Sequence, residues 1–103
     1  MPRAQKVRQV DFLHPDGWRE VQVIWQMADG SYKARLSLLN VRGERRVGYD
    51  WHHGKAAHRH YRDEESPYEF STIEALLRDF ARDVEQVKGE ECERRRNSPP
   101  VHR

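Results

Sequence analysis

Four of the six histidines in this chain of 103 residues fall within nine positions, at His52, His53, His58 and His60. An imidazole, with an unperturbed pKa near about 6.5, exchanges protons at neutral pH, so one ring can take a proton while a second donates one. His58 and His60 are two apart, which on a β-strand turns both to one face and Arg59 and Tyr61 to the other. If that strand pairs beside the segment 45–51, the two histidines share a face with Asp50. Lys33 and Arg35 fall on the polar face of the preceding strand, in reach of the same patch. These residue types suit cleavage of a phosphodiester. His58 and His60 would be the acid/base pair and Asp50 the group that orients an imidazole, while Lys33 and Arg35 hold the phosphate and the charge of the transition state. Trp51, Tyr49 and Tyr61 stand near enough in sequence to stack on the bases of single-stranded RNA. This chemistry calls for no cofactor and no metal.

The same side chains admit other readings. His58 and His60 with His52 or His53 are adequate in kind for a three-histidine zinc site, although no thiolate or carboxylate pattern supports one. They also fit plain surface histidines on a polar loop and an edge strand. Cys92, the single cysteine, lies between Glu91 and Glu93, and neighbouring negative charge works against a reactive thiolate.

The elements that must position these residues come from hydrophobic spacing. Val7 to Leu13 alternates and stops at the turn cluster His14-Pro15-Asp16-Gly17. Val21, Val23, Trp25 and Met27 recur at period two and predict one buried face of a second strand. Asp29-Gly30 is a hairpin signal, after which Tyr32, Ala34, Leu36 and Leu38 fall on one face and Lys33, Arg35 and Ser37 on the other. Beyond Arg42-Gly43-Glu44, Val47, Tyr49 and Trp51 fall together, opposite Arg46, Gly48 and Asp50. His58 to Arg62 reads as a short further strand, and Asp63-Glu64-Glu65-Ser66-Pro67 as a loop. Ile73, Leu76, Leu77, Phe80, Val84 and Val87 then keep helical spacing behind a Ser71…Glu74 capping box, and Gly89 ends the pattern. The expected fold is therefore α+β: an antiparallel β-meander of four to five strands with one C-terminal helix, 71–88, packed on its apolar face. Residues 1–89 form a single domain, and 90–103 read as a disordered charged tail.

Composition narrows the classes. Hydrophobic residues make up 36% of the chain and charged residues 35%, enough for one thin core. No apolar run approaches the roughly 18 residues of a membrane helix. The N-terminus carries no signal-peptide stretch, and one cysteine excludes a disulfide scaffold. A soluble cytoplasmic protein is the expectation. The net charge of +2 conceals a division along the chain: residues 1–62 hold twelve Lys/Arg against six Asp/Glu, and residues 63–91 hold three against ten. Either the first part offers a basic surface to a polyanion, or the two parts attract each other within the fold.

The stretch from Tyr32 to Val84 resembles the TumE-type toxins of bacterial toxin–antitoxin systems. The resemblance rests on Tyr32-Lys33-Ala34-Arg35-Leu36, Gly48-Tyr49-Asp50, Gly54-Lys55-Ala56-Ala57-His58-Arg59-His60 and Glu65-Ser66-Pro67-Tyr68-Glu69-Phe70, together with Leu77, Asp79, Phe80 and Asp83. Two positions depart from it. Trp51 stands where the family has asparagine after Tyr-Asp, and Ala56-Ala57 where it has Gly-Asp before His-Arg-His. The resemblance implies a cytoplasmic, growth-inhibiting toxin with a helix-turn-helix antitoxin protein as partner. Ribonuclease action is an inference from the residues themselves, with RNA as the partner molecule. The competing expectation is a non-catalytic module that docks a protein or nucleic acid through its basic sheet face. Under it, charge reversal at Arg35 or Arg46 would weaken binding in a salt-dependent way. An exposed edge strand in so small a chain makes a homodimer reasonable.

Overall fold

Three short turns set the architecture. His14, Met27 and Asn40 each donate their backbone N–H to the carbonyl four residues on, at 2.7, 2.7 and 2.9 Å, and accept from the glycine three residues on. Those glycines, Gly17, Gly30 and Gly43, hold φ of 91°, 87° and 82°. A three-residue hairpin loop requires this left-handed position, and a side chain there would be strained. In the computed structural model, which describes residues 4–52 and 56–97, the turns join the first four strands of one antiparallel sheet. These are β1 (Gln5–Leu13), β2 (Arg19–Gln26), β3 (Tyr32–Leu39) and β4 (Arg45–Trp51), followed by β5 (Ala57–Tyr61) and β6 (Glu64–Tyr68). The spatial order is the chain order, β1-β2-β3-β4-β5-β6. A single helix, α1 (Ile73–Asn97), closes the fold.

The class is α+β with an antiparallel sheet and one helix, but the sheet has six strands rather than four to five. The additional strand is β6, in the segment expected to be a loop. Its acidic run and Pro67 conceal it in the sequence. An edge strand tolerates both, because its outer side makes no ladder bonds and its side chains reach water. The link from β5 to β6 is two residues long, with Arg62 at φ 57° and its N–H donated to the Arg46 carbonyl at 2.8 Å.

The core lies between the sheet and α1. Ala34, Leu36 and Leu38 of β3 and Val47, Tyr49 and Trp51 of β4 face it as expected, meeting Leu76, Phe80, Val84 and Val87 of the helix. In β2 the inward residues are Ile24 and Gln22, not Val21, Val23 and Trp25. The register pairs Ile24 with Ala34 and Gln22 with Leu36, and a one-residue change of parity turns every side chain over. A buried polar residue is accepted on the inner face because its hydrogen bonds are made. Gln22 takes a bond from Arg8 Nε at 2.6 Å and donates to Glu20. A second irregularity falls between Leu38 and Leu39, which pair with Val47 and Arg45. The bulge gives β4 one extra residue. It turns Arg46 to the helix side, where it meets Glu91 at 3.4 Å, instead of the outward face on which alternation places it.

The helix begins one residue later than its capping box implies: Ala75 donates its N–H to Thr72 Oγ1 at 3.1 Å, so Thr72 is the cap. It also runs past Gly89 to Asn97. A glycine inside a helix costs about 1 kcal/mol, and the residues just after this one are anchored to the sheet. Glu90 accepts from Tyr61 Oη at 2.8 Å and Arg62 Nε at 3.1 Å, and Glu91 pairs with Arg46 and Arg62, each at 3.4 Å. The segment 90–97 is thus helical rather than a tail, and 98–103 lie outside the described residues. Among the described residues, no helix is long and apolar enough to cross a membrane.

Candidate functional site

The outward face of the sheet collects the residues selected for chemistry. The register pairs Arg35 with Asp50 across β3 and β4, and Asp50 with His58 across β4 and β5. Directly opposed residues point to the same side of a sheet, so Arg35, Asp50 and His58 form one row across three strands. Lys33, two residues before Arg35, and His60, two after His58, share that side. A cleft of about 410 Å³ opens there, lined by Trp25, Lys33, Ala34, Arg35, Asp50, Trp51, His52, Ala56 and His58. It holds four of the five expected site residues. His60 lies beside it with Nε2 at 3.5 Å from Asp50 Oδ1.

Two further side chains hold this group. Arg45 Nη1 reaches Asp50 Oδ2 at 3.4 Å, so the carboxylate lies between an imidazole and a guanidinium. Gly48 permits the approach: the Arg45 side chain runs across it so closely that an added Cβ would meet Arg45 Cδ at 2.9 Å. His58 Nδ1 stands 3.1 Å from Glu65 Oε2 of β6, which leaves Nε2 for another partner. Neither Arg45 nor Glu65 was legible in sequence, because one depends on the bulge in β4 and the other on the concealed strand.

Behind the site, the residues that alternate with it face the helix. Tyr49, before Asp50, donates from Oη to Asp83 Oδ2 at 2.5 Å. Arg59, between the two histidines, donates from Nε to the same oxygen at 2.7 Å, from Nη2 to Oδ1 at 3.0 Å, and to Tyr49 Oη at 3.2 Å. Asp83 is fully buried, and both its oxygens are engaged. Burial and then the Asp83 carboxylate push the Tyr49 phenol well above its usual range. The Asp83 bond raises Arg59, which stays charged. Tyr68 of β6 donates to Asp79 at 2.6 Å, with its ring edge-on to Tyr49 at 4.8 Å. Helical spacing selects only the apolar stripe of α1, and so it passed over the two aspartates that tie β4, β5 and β6 to the helix.

Other expectations resolve differently. Tyr49 and Trp51 are core residues and Tyr61 faces α1, so none of the three offers its ring on the outward side. The Trp51 indole donates to the Tyr32 carbonyl at 2.7 Å and packs against Phe70 at 4.9 Å. Trp51 therefore fills the inner side. His53 lies outside the described residues, and among those described no three His, Cys, Asp or Glu side chains converge as metal ligands do. Cys92 is exposed on α1.

The charge division is largely used within the fold. Arg46, Arg59 and Arg62 on the inner side pair with Glu91, Asp83 and Glu90 of the helix, and Lys88 returns to Asp16 at 2.7 Å. Lys33, Arg35 and Arg45 are left on the outward face.

A meander of this order, backed by one helix and carrying a cationic, histidine-bearing cleft on its open side, defines a small α+β protein with one antiparallel sheet. Residues 20–88 match the family described as Toxin TumE. The chain belongs to that toxin family. The match runs from the second residue of β2 to the middle of α1 and leaves β1 outside it. Membership in a toxin family implies an antitoxin as partner. No curated protein matches the chain, and no solved structure does.

Proposed function

We propose that this protein is the toxin component of a bacterial toxin–antitoxin system and acts in the cytoplasm on RNA, as a small histidine-dependent endoribonuclease that needs no metal. The observation that supports it best is the row Arg35–Asp50–His58 across three paired strands, with Lys33 on the same cleft. Cleavage of RNA needs a base to take the proton of a ribose 2′-hydroxyl, whose oxygen then attacks the neighbouring phosphorus. It also needs an acid to protonate the departing 5′-oxygen. His58, on the cleft with one ring nitrogen uncommitted to Glu65, is the base. His60 is the acid, and Asp50 orients its ring. Lys33 and Arg35 bind the phosphate and stabilise the charge that grows on it. The antitoxin is a helix-turn-helix protein, and a second copy of the chain pairs at the open edge of β1.

The test is incubation of the pure protein with labelled single-stranded RNA, with and without EDTA, beside His58→Ala. Cleavage that survives EDTA and falls by about 10²- to 10⁴-fold in the variant is the expected result. Cleavage abolished by EDTA would move the chemistry to a metal. No cleavage by protein whose circular dichroism shows it folded would overturn the enzymatic reading.

A further inference from the structure

The outward turn of β2 places an apolar strip where a wet face calls for polar residues. Val21, Val23 and Trp25 lie half-buried along it. Their cross-strand neighbours are Asp11, Gln9 and Lys6 on β1, and Ser37, Arg35 and Lys33 on β3. Among the described residues nothing apolar covers the strip, since α1 packs on the opposite side. At its end Trp25 forms one wall of the cleft, with Lys33 Nζ 4.7 Å from its ring centroid. Aromatic and aliphatic surface therefore borders phosphate-binding cations directly.

We infer that Trp25 is a nucleobase-stacking platform and that the ligand of this face is single-stranded RNA, its bases toward β2 and its phosphates toward Lys33, Arg35 and Arg45. This inference rests on the reading of the site as RNA-directed. A single strand offers both parts at once, unpaired π-faces for the indole and a phosphate chain for the cations. A duplex turns its base faces inward and gives Trp25 nothing to stack on. The Lys33 ammonium is well placed to exchange partners. A phosphate draws it from the ring by direct charge attraction, and the base takes the face it leaves. The other aromatic side chains of the central strands point into the core, so the indole on this side is the one able to do this.

The experiment measures binding in the His58→Ala background, so that cleavage does not intervene, with three probes: a single-stranded RNA, a duplex of the same length, and an oligomer with the same phosphates but abasic sugars. The single strand is expected to bind tighter than either of the others. Trp25→Ala should weaken it by about five- to a hundredfold, one base's worth of stacking, and leave the abasic oligomer unchanged. Trp25→Phe should restore most of the loss, and Lys33→Gln should weaken all three. Because the indole lies outside the core, circular dichroism of Trp25→Ala should match the parent. Equal loss for the RNA and the abasic oligomer, or no loss with Trp25→Ala while Lys33→Gln still weakens binding, would overturn the platform and leave the RNA reading standing. If the parent protein binds none of the probes, the reading beneath it fails as well.

Discussion

Asp50 meets its neighbours from both sides, and its replacement separates two duties. With Asp50→Asn, His60 loses the carboxylate that orients its ring and Arg45 loses its ion pair, while the backbone row Arg35–Asp50–His58 is unchanged. The expected outcome is a loss of RNA cleavage of tenfold or more with RNA affinity equal to or above the parent's, since a negative charge has been removed from the face proposed to bind phosphate. A fall in affinity would show instead that Asp50 supports the cleft itself. The common face of these residues was readable because β3, β4 and β5 alternate cleanly through Lys33, Arg35, Asp50, His58 and His60. The faces of Val21, Val23 and Trp25 were not. Alternation gives a strand two sides without saying which is inward, and Gln22 beside Ile24 made the apolar choice misleading. Arg46 was misplaced for a different reason, since a bulge shifts parity without leaving a mark in composition.

At the scale of elements, α1 is held to the sheet by a stripe of apolar contacts and by carboxylates that meet tyrosines and arginines. Removing the Asp83 carboxylate leaves Tyr49 and Arg59 facing a partner that is gone, and a broken buried pair costs about 3–5 kcal/mol. Because Arg59 is partly exposed, Asp83→Ala is expected at the lower end of that range by denaturant unfolding. Phenol titration reads the same contacts. Burial and then the Glu90 bond push Tyr61 up to about 12, and Tyr49 and Tyr68 are raised further by burial and their aspartates. A phenol whose folded pKa lies above its unfolded value of about 10 contributes stability that is complete below pH ~10 and is lost as pH rises through the folded value. Absorbance titration should therefore show these three phenols ionising late, and unfolding should become easier only above pH ~10. The cap gives a smaller test. Thr72→Ala should cost about 1 kcal/mol by thermal or denaturant unfolding and Ser71→Ala close to nothing. The helix itself was plain in the sequence from its 3.6-residue spacing, but its C-terminal extent was not. Gly89 is a stop signal only where the following residues have nothing to bind, and here Glu90 and Glu91 meet the arginines of β4 and the β5–β6 turn.

For the molecule as a whole, the proposed reading assigns contact with a polyanion to Lys33 and Arg35 on the outward face. The salt dependence of RNA binding should fall in log–log slope by about 0.7 for each of Lys33 and Arg35 replaced by glutamine. Arg46→Gln, on the helix side, should leave the slope unchanged and lower stability instead, which a binding titration at several salt concentrations beside an unfolding curve will show. The strictly sequential order of the strands has a consequence for how such a protein comes into being. Every strand pairs with the one made just before it, so the sheet can zip up hairpin by hairpin as the chain leaves the ribosome, with short loops to close at each step. The helix follows all six strands, and until it docks, Tyr49 and Arg59 lack the aspartate that ties β4 and β5 to it. A chain cut after Phe70 would lack the whole of α1 and should aggregate through the uncovered inner face of the sheet.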